Sequence, residues 1–367
     1  MSRSGNINLP INPDHQSRSR ARSWMLNVVG YQSTSERHPG GHGAIYKGAL
    51  DDGRTVCIKV VRSGSKSRDL LKAHAGELVL SANITHEYIL PFYGVHEFSP
   101  KSLAGISEWM ELGDLCGYLI DYPNTSRIPL VSRLSQEGLI AIHSVVKIAD
   151  IISGVDYLHG LDIIHGDLKA ANVLVSNDKH AVLADFGLSR VKATVASEIG
   201  ESGTTLWTAP EILVEGKPPT KEGDIWSFAC FCYELVTGRL PFEQYLERPT
   251  ALIIVMTKEE ITPSLSTTVS VRDEQNEVAL VDAIRALMKS CWNYQASERP
   301  SIRAIKVLLS QLKFTDKRAP PKIKPASTDS QRLLPNTEID YDGVCGMLLS
   351  LQQSNSAKNA SDMSGDW

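Results

Sequence analysis

Residues 165–187 read HGDLKAANVLVSNDKHAVLADFG, and the way this stretch divides decides the fold. Two apolar β-type runs, Val173-Leu174-Val175 and Ala181-Val182-Leu183-Ala184, flank the polar turn Ser176-Asn177-Asp178-Lys179-His180. That is the pattern of an antiparallel hairpin. Pairing the runs puts Asn172 and Asp185 side by side at the open end, with Asp167 and Lys169 just before the first strand. Two carboxylates, an amide and an ammonium are thereby gathered in one place. Such a set suits phosphates carried by a hard divalent cation, because Mg²⁺ selects oxygen ligands and shares them with a nucleotide.

The rest of the chain bounds what can surround this hairpin. Its 367 residues, 42% hydrophobic and 22% charged, allow one large domain with tails or two domains, and suffice for a real core. The six cysteines are scattered without a C-x-x-C pair, and no apolar leader opens the chain, so a reduced, intracellular protein is expected, cytoplasmic or nuclear. The most apolar helical candidate, Ile225 to Val236, is too short to span a bilayer, so no membrane span is expected. Charge is uneven: residues 1–27 carry +3 and the remainder of the chain, at a net −4, carries −7. Four arginines among serines read as a solvated arm. No recognisable nucleic-acid-binding module accompanies them.

HGDLKAAN followed by Asp185-Phe186-Gly187 resembles the catalytic and metal-binding loops of eukaryotic protein kinases. Further motifs follow the family's order along most of the chain. The resemblance implies an α+β, bilobal fold with a β-rich N-lobe over about 25–107 and a larger, mainly helical C-lobe over about 111–313. The domain as a whole is expected over 25–313, between a disordered Ser/Arg-rich arm at 1–24 and a disordered, Pro-rich tail at 314–367. It also implies ATP with Mg²⁺, or alternatively Mn²⁺, and transfer to protein serine or threonine hydroxyls in signalling.

Roles then carry over residue by residue. Gly40, Gly41 and Gly43 belong to a loop over the phosphates, although His38 stands where the first glycine belongs and His42 replaces the aromatic tip. Ile45 would pack on the adenine, and Val56-Cys57-Ile58-Lys59 resembles Val-Ala-Ile-Lys. Cys57 thus lines the adenine roof and Lys59 contacts the α- and β-phosphates. Glu77, on a candidate helix from about Ser67 to Asn83, is where relatives carry the carboxylate that fixes this lysine. Gly76 beside it weakens that helix by about 1 kcal/mol. Ser107 is the small gatekeeper, the backbones of Glu108 and Met110 would bond adenine, and Leu174 lines the nucleotide site. Asp114 reads either as a ribose contact or as a helix N-cap.

Asp167 would accept or orient the hydroxyl proton, Lys169 would neutralise γ-phosphate charge, and Asn172 with Asp185 would hold the metal. His165 is read as a packed residue supporting the loop. Asp224 opens a buried helix that anchors it, and Glu211 pairs with Arg299.

Lys169 and Thr204 resemble serine/threonine enzymes, whereas the neighbourhoods of Trp207 and Cys291-Trp292 resemble the tyrosine-kinase-like group. His165-Gly166-Asp167 is similar to a variant abundant in mushroom-forming fungi. Gly166 stands where most kinases carry the arginine that pairs with a phosphorylated loop, and glycine has no side chain to do so. These departures leave an alternative: a pseudokinase that binds nucleotide or acts as a scaffold. The intact Lys59, Glu77, Asp167, Asn172 and Asp185 oppose it. Asp121 to Gly138 reads as a surface insertion, and Leu139 to His159 as a core helix. Regulatory protein partners are expected to act through the tails.

Overall fold

The computed structural model describes residues 26–33, 43–61, 78, 81–82, 84–99, 102–121, 137–185, 204–265, 275–312 and 316–322. Two compact units emerge among them: residues 26–85 with 90–109, and residues 86–89 with 110–322. The architecture is α+β.

The first unit is a five-stranded antiparallel sheet in the order β1-β2-β3-β5-β4, comprising β1 (Val28–Ser33), β2 (Gly43–Leu50), β3 (Thr55–Val61), β4 (Phe92–Ser99) and β5 (Ser102–Glu108). Strand β3 shows why the sheet forms. Val56, Ile58 and Val60 alternate onto a face that is fully or almost fully buried with Leu50, Ala104 and Ile106. Cys57 and Lys59 consequently take the opposite face.

The first described strand starts at Val28, three residues inside the expected N-lobe boundary of about 25. Leu26 has another role. Its N–H donates to Val95 O (2.9 Å), and its carbonyl is bonded by His96 Nδ1 (3.0 Å). The entering chain therefore bonds to the far edge strand, covering backbone groups that an open edge would expose.

The second unit is built on helices: α1 (Leu115–Asp121), α2 (Glu137–Gly160), α3 (Pro210–Leu213), α4 (Lys221–Thr237), α5 (Pro249–Lys258), α6 (Gln275–Cys291) and α7 (Ile302–Ser310). Helix α2 extends the expected 139–159 slightly at both ends, and its buried Val145, Ile148, Ile152, Val155 and Leu158 follow the expected apolar face. Helix α4 is buried nearly all round, with Trp226, Phe228 and Phe231 inside, as a central helix must be. Its ends are well defined. Thr220 Oγ1 accepts from Gly223 N (3.0 Å), and Gly238 leaves in the left-handed conformation (φ 66°) with its N–H on Glu234 O.

The hairpin appears as β6 (Val173–Val175) and β7 (Ala181–Leu183), paired Val173 to Leu183. Ala184, rather than Asp185, therefore faces Asn172, and Asp185 lies one residue beyond.

Residues 316–322, within the stretch expected as a tail, make defined contacts with the second unit. Arg318 reaches back to Asp150 on α2 with bonds of 2.6 and 3.0 Å. A Pro-rich segment lacks apolar bulk, and polar contacts from Arg318, Ala319 and Lys322 hold it instead.

Far from the hairpin, Arg299 and Glu211 make a bidentate pair. Nη1 and Nη2 donate to Oε1 (2.7 Å) and Oε2 (2.8 Å), while Nε and Nη1 also donate to Asn293 O and Glu222 O. The guanidinium has no exposed surface and stacks on Trp226. Removing one partner of such a pair strands a buried charge. Arg299→Ala should accordingly lower unfolding stability by about 3–5 kcal/mol in urea titration; a loss under about 1 kcal/mol would contradict this account of the pair.

Candidate active site

The second unit brings three of the expected site residues, Lys169, Asn172 and Asp185, together near Asp167. Its Oδ2 accepts from Lys169 Nζ (3.0 Å) and from Asn172 Nδ2 (2.8 Å), and its backbone carbonyl accepts from the same amide (2.8 Å). Lys169 Nζ donates also to Thr204 Oγ1 (3.0 Å). Asn172 ends a 3₁₀ turn (Ala170–Asn172) at the foot of β6, and its carbonyl accepts from Ala184 N (2.9 Å), which brings Asp185 next to it. Asp185 occupies the left-handed region (φ 57°). A non-glycine residue persists there only when its surroundings impose it, which is common at functional sites.

The donor set fits a hard divalent cation. Asn172 has committed its amide nitrogen to Asp167, so its oxygen is the atom it offers, and Asp185 adds a carboxylate. The described residues contain no cluster of three or more His, Cys, Asp or Glu forming a protein-only cage. Mg²⁺ is commonly held without one, by one or two carboxylates plus phosphate oxygens and water.

The catalytic loop is fixed from below by α4. Asp224, with no exposed surface, accepts from His165 N (2.8 Å) and Gly166 N (2.6 Å) and pairs with His159 Nε2 (2.8 Å). Gly166 sits at φ 73°, a conformation in which a Cβ is strained. His165 is fully buried, and burial pushes its pKa down. Its Nδ1 accepts from Asp167 N (3.2 Å), and Nε2–H donates to Ala184 O (3.2 Å), which describes one neutral tautomer. The imidazole thus ties the backbone before Asp167 to the backbone before Asp185.

Two supporting residues escaped sequence reasoning. Glu234 Oε2 accepts from Ala170 N (3.0 Å) and Trp207 Nε1 (2.8 Å), and Ser227 Oγ donates to Trp207 O (2.8 Å). With Asp224 they form a polar stripe along an otherwise apolar helix. That interruption was the available signal.

Asp114 acts as an N-cap, its Oδ1 accepting from Gly117 N (2.8 Å) at the start of α1, and it also bridges Leu174 on β6. Met110 is buried, and its carbonyl accepts from Gly113 N.

In the first unit, Ile45, Cys57, Lys59 and Ser107 share one face of the sheet. Ile45 pairs with Lys59, Cys57 with Ser107, and Lys59 with Gly105. Gly43 starts β2. Glu108 N donates to Pro91 O, and burial raises the pKa of its carboxyl. Gly40, Gly41 and Glu77 lie outside the described residues, as do Phe186 and the segment 186–203.

With this geometry in view, comparison with known proteins is specific. The family described as "Protein kinase domain" matches residues 38–308. The serine/threonine-protein kinase STY46 of Arabidopsis thaliana is 28% identical over 285 residues, covering 77% of this chain and 44% of that protein. The serine/threonine/tyrosine-protein kinase HT1 of the same plant is 28% identical over 303 residues, covering 80% and 70%. Receptor-interacting serine/threonine-protein kinase 3 of Rattus norvegicus is 30% identical over 286 residues, covering 72% and 52%. The chain thus spans a little under half the length of STY46.

Burial pushes Glu234 up to about 7, its two hydrogen bonds offsetting only part of the effect. Between an unfolded value of 4.5 and about 7, the folded chain binds a proton that the unfolded chain has released. Stability therefore falls as pH rises through that window. Glu234→Gln keeps an acceptor for both donors and cannot ionise. Relative to the parent it should gain on the order of 3 kcal/mol between about pH 5 and pH 8, read by denaturant unfolding. Parallel pH profiles of the two proteins would contradict this.

Proposed function

The chain belongs to the protein kinase family, and on that premise we propose that it transfers the γ-phosphate of metal-bound ATP to serine and threonine hydroxyls of protein substrates. One observation carries the reading: one oxygen of the Asp167 carboxylate is held by both Lys169 and Asn172. A fixed carboxylate of this kind can accept or orient the hydroxyl proton, and catalysis then rests on positioning and charge. Asn172 and Asp185 would hold Mg²⁺, or Mn²⁺, and the chemistry such a cation would supply there is positive charge to offset that of the phosphates. Lys169, bonded to both Asp167 and Thr204, would place its ammonium where γ-phosphate charge moves.

Lys59 would bind the α- and β-phosphates, with Glu77 as its carboxylate. Ile45, Cys57 and Ser107 would line the base, with Met110, Leu174 and the backbone of Glu108. Gly40, Gly41 and Gly43 would cover the phosphates. Asp114 is assigned to capping first, since its Oδ1 already serves Gly117. The Lys169–Thr204 contact and the names of the relatives support serine/threonine acceptors. The pseudokinase alternative finds no support among these relatives.

The kinase domain is proposed to begin near residue 25 and to continue through Lys322, with regulatory partners acting through the arm and the remaining tail. Among the described residues no helix is long and apolar enough to cross a membrane. Among the described residues Cys230, Cys232 and Cys291 are buried free thiols, which supports a reducing intracellular compartment, cytoplasmic or nuclear.

Asp167→Asn and Lys59→Met should each reduce phosphate transfer to a generic protein at least about 100-fold, with circular dichroism and melting temperature close to the parent's. Activity within about threefold of the parent in either folded variant would refute the assignment.

A further inference from the structure

Asp316–Lys322 lies on the second unit as a strap with one inserted side chain. Most of its residues are exposed, but the Arg318 side chain is only 11% exposed. Every guanidinium nitrogen is engaged. Nη1 donates to Asp150 Oδ2 (2.6 Å) and Lys179 O (3.0 Å), and Nη2 to Asp150 Oδ1 (3.0 Å), Val146 O (3.2 Å) and Asp316 Oδ2 (2.7 Å). Nε donates to Asp316, whose carboxylate also accepts from Arg318 N, so the strap pre-shapes its own arginine. Ala319 O accepts from His180 Nε2 (2.8 Å), and Lys322 pairs with Asp178. The strap therefore grips α2 on one side and the closed end of the hairpin, residues 178–180, on the other.

Asp150 links this grip to the active site. While chelated by Arg318, its Oδ2 accepts from Ala181 N (2.9 Å), the first residue of β7, and its Oδ1 is bonded by His180 Nδ1 (3.3 Å). Strand β7 has three residues, all buried, and leads in two further steps to Asp185. A two-stranded hairpin is not stable alone, so its position is set by what holds it. The open end is held through Asn172 and His165; the closed end is held by Asp150 and the strap.

Without Arg318, Asp150 would be a carboxylate only 3% exposed that has lost its bidentate cation. A substitute stands one turn earlier. Lys147 is 2% exposed, its ammonium 5.2 Å from the centre of the Tyr118 ring, and burial first, then repulsion from Arg318, pushes its pKa down to about 8.

We propose that Arg318 is a positioning residue for the metal-binding end of the hairpin: through Asp150 it fixes the start of β7, and thereby where Asp185 stands relative to Asn172. The proposal rests on the reading that Asn172 and Asp185 hold the metal. It makes the strap part of the catalytic unit.

The test uses the full chain with Arg318→Ala, Arg318→Lys and Asp316→Asn, and two readouts. In Arg318→Ala, hydrogen exchange of the Ala181–Leu183 amides should accelerate about tenfold or more while α4 amides keep the parent's protection. The Mg²⁺ concentration that half-saturates binding of a fluorescent ATP analogue should rise about fivefold, below the 10–100-fold typical of groups bonded directly to a ligand. Arg318→Lys, which keeps charge but not the fork, should fall between, and Asp316→Asn should shift the same way by less.

Unchanged Mg²⁺ dependence in a folded Arg318→Ala chain overturns the proposal. Should that variant fail to fold, an Asp316→Asn chain with the parent's Mg²⁺ dependence overturns it instead. A lower melting temperature without a shift in Mg²⁺ dependence indicates a merely structural role and also overturns it. A parent that binds no metal–nucleotide complex defeats the kinase reading instead. The exchange readout needs no ligand, and unaltered protection at Ala181–Leu183 would then overturn this proposal by itself.

Discussion

A carboxylate with no exposed surface must be surrounded by donors, and the catalytic unit is arranged around the way Asp224 meets that demand. Its three partners come from two parts of the chain: His159 near the end of α2, and the backbone N–H groups of His165 and Gly166. Backbone donors are the important ones. They fix the path of the main chain immediately before Asp167, whereas side-chain contacts alone would leave that path free to vary. Gly166 can present its N–H there because the left-handed turn costs glycine little.

The same logic runs along α4. Glu234 holds Ala170 and Trp207, and Ser227 holds the Trp207 carbonyl, so one helix secures both the loop bearing Lys169 and the segment that follows Thr204. Lys169 then joins the two by bonding Asp167 and Thr204 at once. Electrostatic catalysis needs groups that do not reorganise during reaction, and on the proposed reading these bonds would hold such groups in place. The buried, neutral His165 adds a rigid spacer between Asp167 and Ala184.

Much of this was legible in the sequence because the decisive signals are local. The hairpin follows from two short apolar runs around a polar turn. The face shared by Ile45, Cys57, Lys59 and Ser107 follows from strand alternation once the register is known. Which residue beyond β7 faces Asn172 depends on hairpin register, set by turn geometry that composition does not specify; it is Ala184, with Asp185 next to it. What stayed hidden depends on long-range pairing. Glu234 and Ser227 interrupt the apolar run of α4, but which donors and acceptors they serve is settled only when the loop packs on them. Leu26 reaches the far edge strand through a main-chain bond to Val95 that carries no sequence signature. Arg318 sits in a Pro-rich stretch whose composition argues against order, and only its distant partner Asp150, buried on α2, reveals that the segment docks.

The account comes down to whether these fixed groups move a phosphoryl group. The most direct measurement is incubation of the purified chain with γ-labelled ATP and a generic serine- and threonine-containing protein, with and without Mg²⁺, followed by analysis of the phosphorylated amino acids. Label in phosphoserine or phosphothreonine that depends on Mg²⁺ and disappears with a chelator is the result the account predicts. ATP that binds in the presence of Mg²⁺ and yet leaves no label on any protein, the chain itself included, would contradict it.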